Sequence, residues 1–290
     1  MEFSERPRPA VVAGQFYPDD EAGLRSVVQS FLENSSQYLS DCAGKKTLAA
    51  MVPHAGYVFS GALAGITLAQ ATLEDSVIIL APNHTGVGAR LAVWSGGDWL
   101  TPLGAVAVDR ELAGTLLNAG RGFVPDDTAH LRDHAIEVVL PFLQVTRPGV
   151  RIVPVCVGGA SIDALREAGA ALAAVMRARL EEGRPVSLIV SSDMNHYLSH
   201  DATVAKDSMA LEKVRALDPE GLYATVKVHK ISMCGALPMV MALFACRELG
   251  AKRACITAYA TSGQTGKAYG ADMNRVVGYA GALIPAPEAG

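Results

Sequence analysis

A chain of 290 residues, half of them apolar and 19% charged, is long enough for one large α/β domain or two small ones. It is too apolar to be a disordered segment. The net charge of −4 and the lack of a Lys/Arg-rich run exclude a generic nucleic-acid surface. No stretch approaches the roughly 18 uninterrupted apolar residues of a transmembrane helix, so no membrane insertion is expected. The five cysteines (Cys42, Cys156, Cys234, Cys246 and Cys255) are odd in number and form no CxxC pair. Met1–Pro9 is charged and polar, without the apolar core of a signal peptide. Both features predict reduced thiols and a cytoplasmic location.

In chain order, Arg6–Tyr17 is rich in proline and apolar residues and predicts an extended arm. Asp19 or Asp20 caps a helix that runs to about Asn34. Leu48–Val52 is a short buried strand ending in Pro53-His54. Ser60–Ala71 follows as a helix whose Gly61 and Gly65 let it press closely on the sheet. A second strand, Val77–Ala81, ends in Pro82-Asn83-His84. Leu91–Trp94 and Asp98–Val108 predict an antiparallel excursion turning at Gly96-Gly97, and Asp109 caps a helix to Leu117. Periodicity makes the chain helical from about Leu131 to Leu143, with Pro141 kinking or ending it. Arg151–Val157, Val186–Val190, Ala254–Ala260 and Val276–Leu283 are further strands. Helices fill Ser161–Glu182, Thr203–Leu217, the segment from Asp218-Pro219, and Cys234–Leu249, and Thr261–Gly270 is a loop. Strands alternating with helices throughout predict a single α/β domain over residues 1–290, with a mixed, mostly parallel central sheet.

Three of the buried strands end in a histidine: His54, His84, and His196 after Ser191-Ser192-Asp193. A parallel α/β sheet carries its binding crevice at the carboxyl ends of its strands, so the three imidazoles are predicted to converge there. Imidazoles suit iron, copper, zinc or nickel. Cys234, where a helix is predicted to begin, is the candidate third ligand, because a helix N-terminus favours the thiolate. Asp193, three residues before His196, would orient that ring. His134 and Glu137 are three apart and are predicted to support the site or pair with each other. His130 and His134 are four apart, a helical metal-pair spacing. Asp133 and Tyr57 are candidates for the crevice wall. G-x-S-x-G and Walker-type loops are absent.

Six segments, taken together, resemble one family: RPAVVAGQFYP (Arg8–Pro18), PHAGYVFSG (Pro53–Gly61), PNHTG (Pro82–Gly86), DHAIEVVLPFL (Asp133–Leu143), SSDMNHY (Ser191–Tyr197) and MCGALP (Met233–Pro238). Their order and spacing, from about residue 8 to 284, resemble the MEMO-like proteins, called AmmeMemoRadiSam system protein B in bacteria and archaea. That family is similar in fold to the class III extradiol dioxygenases, non-haem Fe(II) enzymes. The resemblance implies His54, His84 and Cys234 as metal ligands, the cysteine replacing a carboxylate. It implies His196 as the acid–base residue with Asp193 beside it. Iron(II) is the implied metal, with copper or zinc as alternatives favoured by the softer thiolate. The chain departs from the family pattern at Asn195 and at Asp133-His134-Ala135.

The function implied is metal-dependent redox or dioxygenase-type chemistry on an unidentified small molecule. A non-catalytic peptide- or protein-binding scaffold using the same crevice is the alternative, since the family's animal member is described as binding phosphotyrosine peptides. A zinc hydrolase with His54, His84 and His196 as ligands is a third reading. Microbial members of the family often neighbour a radical-SAM gene, which points to a radical-SAM partner system.

Overall fold

The computed structural model of the protein describes residues 4–287. Its strands are β1 (Thr47–Val52), β2 (Ser76–Pro82), β3 (Leu91–Val93), β4 (Trp99–Thr101), β5 (Gly104–Val108), β6 (Phe123–Pro125), β7 (Arg151–Val157), β8 (Val186–Ser191), β9 (His196–Leu198), β10 (Cys255–Thr261) and β11 (Val276–Pro285). The helices are α1 (Glu21–Glu33), α2 (Tyr57–Gln70), α3 (Arg110–Asn118), α4 (Leu140–Thr146), α5 (Ile162–Glu181), α6 (His200–Arg215), α7 (Pro219–Val228), α8 (Ala236–Glu248) and the single turn α9 (Ser262–Thr265).

Every residue of β2 and β8 is buried. Such strands shed all their apolar surface only when both faces of a sheet are covered. The described strands form one sheet whose main path is β10-β11-β1-β8-β2-β7-β3-β6. Its centre, β1-β8-β2-β7, is parallel, while β11 against β1 and β3 against β7 are antiparallel. One face packs beneath α5 and α8, with Leu172, Met241 and Leu243 in its core. The other packs beneath α1, α2 and α4, around Leu24, Leu68 and Phe142. Asp20 caps α1 by accepting from the Gly23 amide, as its sequence position predicts.

The structure corrects several local expectations. Gly61 and Gly65 do not face the sheet; a Cβ on Gly65 would lie 2.7 Å from Cβ of Phe31, so these glycines let α2 meet α1. Gly96-Gly97 is not a hairpin turn. The Gly97 amide donates to the Arg6 carbonyl at 2.8 Å, and a Cβ there would meet the Glu5 carbonyl, so the pair makes room for the N-terminal arm. The hairpin is instead β4–β5, with Thr101 opposite Gly104. Pro141 begins α4 rather than ending a helix, consistent with proline's fixed φ and missing N–H at a first turn. The short strands β6 and β9 carry no periodicity that would announce them.

Cys42 and Cys255 form a disulfide, while Cys156, Cys234 and Cys246 are free. This removes the support that an all-thiol reading lent to a reducing compartment. Among the described residues, no helix is long and apolar enough to cross a membrane.

Candidate metal centre

Strand order brings the site together. β8 lies between β1 and β2, with Val52 level with Ser191 and Leu80 level with Val190. The three carboxyl ends therefore open side by side. β1 delivers His54 two residues past its end, β2 delivers His84 likewise, and β8 ends in Ser191, followed by Asp193. Gly235, the residue before α8, lies so close to the end of β8 that a Cβ would meet the Ser191 carbonyl at 2.7 Å. That contact carries Cys234 to the same crevice.

His54, His84 and Cys234 each offer a donor atom that could hold a metal ion, and these atoms all lie within 4.8 Å of one another. Cys234 Sγ is 3.4 Å from His54 Nε2. Nitrogen and sulfur ligands around one ion, with bonds of about 2.0–2.3 Å, stand roughly 3.5 Å apart. His134 joins the cluster. Its ring stacks on His84 at 4.9 Å between centroids, with planes 7° apart, and sits 5.5 Å from His54.

Second partners set the tautomers. The Ser191 hydroxyl donates to the Ala135 carbonyl at 2.6 Å, which spends its only proton. It can therefore only accept from His54 Nδ1, 2.7 Å away. His84 Nδ1 lies 3.2 Å from Asp133 Oδ1, and Asp133 Oδ2 also accepts from the His84 amide at 2.7 Å. His196 Nδ1 lies 2.9 Å from the Ser232 carbonyl, which can only accept. We assign all three rings as Nδ1–H tautomers, so that each Nε2 is an acceptor, that of His54 facing the Cys234 thiol.

The electrostatics are uneven. His54 is almost fully buried, and that burial, with the adjacent His84 and His134 rings disfavouring a further charge, holds it neutral, its pKa well below the usual imidazole range. Burial also lowers His84, but the Asp133 hydrogen bond and charge outweigh it, and its pKa is raised on balance. The same pairing, against the effect of burial, takes Asp133 down to about 2. Burial lowers His196, partly offset by the Ser232 and Met194 carbonyls. Burial pushes the Cys234 thiol up, and the Asp193 charge adds to this. The expected helix-dipole activation is thus overridden in the ion-free protein, and the Asp193 and Gly235 amides recover only part of it.

Several predicted roles change. Asp193 is not the orienter of His196: Oδ1 accepts from the His54 amide at 2.9 Å, its own amide donates to Cys234 Sγ at 3.2 Å, and burial raises its carboxyl to about 6. It ties two of the candidate ligands together. Glu137 does not pair with His134; it bonds Arg8, the Val11 and Val12 amides and the Tyr17 hydroxyl. His130 is fully buried against Trp94 and Trp99, with Nε2 on the Ala92 carbonyl, and takes no part in a metal pair. Tyr57 is buried, with its hydroxyl on the Val138 carbonyl. Ser191, Ser232 and the orienting role of Asp133 were not anticipated. The signal available for Ser191 was its position as the last residue of a histidine-delivering strand.

A family model described as Memo-like protein matches residues 8–283. A MEMO1 family protein of Ignicoccus hospitalis is 39% identical over 289 residues, covering 97% of this chain and 99% of the relative. One from Pyrobaculum arsenaticum is 37% identical over 285 residues, covering 96% and 99%. One from Methanopyrus kandleri is 39% identical over 282 residues, covering 94% and 97%. Matched along nearly its whole length by relatives it covers almost completely, the chain belongs to the Memo-like protein family.

Proposed function

We propose that the protein is a metal-dependent redox protein whose ion is held by His54, His84 and Cys234. Iron(II) is the first candidate and copper the alternative. The observation that carries this reading is the convergence of two Nδ1–H imidazoles and a thiol on one crevice, with His54 Nε2 3.4 Å from Cys234 Sγ. Two imidazoles and a thiolate suit iron, copper and zinc, and an uncharged or single-thiolate set leaves positions for a substrate. When bound, the ion would supply Lewis acidity and a redox couple.

The surrounding residues have separable tasks. Asp193 and Ser191 fix His54, and Asp193 also touches the sulfur. Asp133 fixes His84. His196 is half-buried and neutral, with Nε2 free, so it can take a proton from a substrate hydroxyl and return it. His134 forms a wall of the crevice with Phe16, whose ring centroid is 4.7 Å away. The substrate in this reading is a small molecule with an ionisable hydroxyl.

The test is elemental analysis of protein purified without oxygen, beside Cys234→Ser and His84→Ala. About one ion per chain, lost in both variants, is expected. Retention of the ion in either variant refutes the ligand set. An ion-free wild type that stays so after anaerobic Fe(II) or Cu(I) addition makes the crevice a docking surface for a peptide or protein. For turnover, His196→Gln should retain the ion and lose substrate conversion.

A further inference from the structure

The N-terminal arm reaches the centre through one buried side chain. Arg8 is fully buried, and its Nη1 pairs at 2.5 Å with Oε2 of Glu137, also fully buried. Its other donors go to main-chain carbonyls: Nε to His130 at 3.0 Å, Nη2 to Asp133 at 2.5 Å, and Nη1 to Pro9 at 3.2 Å. The guanidinium also lies 4.1 Å from the Trp99 ring. Glu137 accepts from the Val11 and Val12 amides and from the Tyr17 hydroxyl at 2.6 Å, so the pair is laced into the arm.

Arg8 thus grips residues 130–137 at the His130 carbonyl, the Asp133 carbonyl and the Glu137 carboxylate. That segment is built of turns and has no helix before Glu137, so few bonds of its own hold it. Asp133 is the residue that fixes His84, through the amide at 2.7 Å and Nδ1 at 3.2 Å. We infer that Arg8 is a positioning residue for His84: its fork holds the Asp133 main chain so that the carboxylate meets Nδ1 and Nε2 stays aimed into the crevice. A planar guanidinium spans these acceptors at once, which the single ammonium of lysine does not. The effect on an ion rests on the metal-centre reading above; the effect on the His84 ring does not.

The test is therefore read first without metal. Imidazole 1H–15N correlation spectra of the wild type, recorded at alkaline pH where the His84 ring is neutral, should show it as one Nδ1–H tautomer. Arg8→Met/Glu137→Gln removes both charges of the buried pair, so neither is stranded. In it, His84 should show mixed tautomers while His196, held by Ser232, keeps its own. Affinity for Co(II), by chelator competition, should weaken about tenfold or more. Arg8→Lys should show the same change at His84, because its cation faces Glu137 but cannot span the carbonyls. It carries the decision if the double variant does not fold. Leu172→Ala, a cavity in the core across the sheet, should lose stability and leave both readouts unchanged. A folded Arg8→Met/Glu137→Gln or Arg8→Lys protein with wild-type His84 spectra overturns the inference. If the spectra change but the wild type itself takes up neither Co(II) nor, under anaerobic addition, Fe(II) or Cu(I), the metal reading fails and the role of Arg8 stands.

Discussion

The Ser191 hydroxyl holds one proton and gives it to the Ala135 carbonyl, so its oxygen is the acceptor that fixes His54. Ser191→Ala should leave the His54 ring with no partner at Nδ1 and weaken metal binding about tenfold or more, at a stability cost of about 1 kcal/mol. Chelator competition measures the first and a urea melt the second; unchanged affinity would show that the tautomer needs no such support. Asp207 makes a second residue-scale case, away from the candidate ligands. It is fully buried, and burial raises its carboxyl to about 7 despite hydrogen bonds from the Asn195 amide and the Tyr259 hydroxyl, each at 2.8 Å. An unfolded aspartate titrates near about 3.9. Between these values the folded state binds a proton that the unfolded state does not. Its contribution to stability therefore falls as pH rises from about 4 to about 7, by up to about 4 kcal/mol, and is flat above. Asp207→Asn should gain stability relative to wild type across that window in melts at pH 5 and pH 8. Parallel curves for the two proteins would refute the buried, protonated carboxyl. Neither Ser191 nor Asp207 was legible in the sequence, because their partners come from other elements. His54, His84 and Cys234 were legible because each stands at the end of an apolar run or before a helix.

At the scale of elements, the centre depends on how closely α8 approaches the end of β8. Gly235 has an ordinary negative φ, so its role is space: a Cβ would lie 2.5 Å from the Ser192 hydroxyl and 2.7 Å from the Ser191 carbonyl. Both neighbours are held, Ser192 by its hydroxyl's bond to the Asp193 carbonyl and Ser191 within the sheet. Gly235→Ala should push the start of α8 outward and take Cys234 with it. The expected cost is about 1–3 kcal/mol of stability, together with loss of the thiolate-to-metal charge-transfer band in Co(II)-loaded protein. Wild-type absorption in the variant would mean that the loop, not the helix, places the sulfur. The strands and long helices were readable from periodicity and capping alone, as Asp20 and Asp109 show by accepting from the amides their positions predict. The segment from Leu131 to Leu143 was not. Its apolar spacing matches a helix, yet the Asp133 side chain is committed to His84 and Ala135 and the Asp133 carbonyl to Arg8, so only Leu140–Thr146 completes α turns. Here long-range polar bonds outweigh local preference.

At the scale of the whole molecule, the Cys42–Cys255 bond joins residues 213 apart in sequence. No spacing rule finds such a pair; only the sheet order, with β10 at one edge, brings Cys255 to the connection before β1. An odd number of cysteines is equally compatible with five thiols, which is why the sequence alone favoured a reducing compartment. Edge strands are where a sheet frays first, and β10 pairs within the main sheet on one side, with β11. A cross-link that closes a loop of this length removes much of the unfolded chain's freedom, about 5 kcal/mol in the chain-entropy limit. For a chain of this size that corresponds to roughly 5–10 °C in Tm. Alkylation in denaturant should label the three free cysteines without reductant and all five with it. Reduction, or Cys42→Ala/Cys255→Ala, should lower Tm by that amount. Cys234 lies in the crevice and belongs to neither half of the bond, so an ion taken up at the proposed centre should remain bound below the new Tm. Five labels without reductant would show that the bond does not form in the purified protein. Loss of the ion on reduction would show instead that the edge strand and the crevice melt as one unit, since α6 and β11, which β10 packs against, also carry the contacts of Asn195 beside His196.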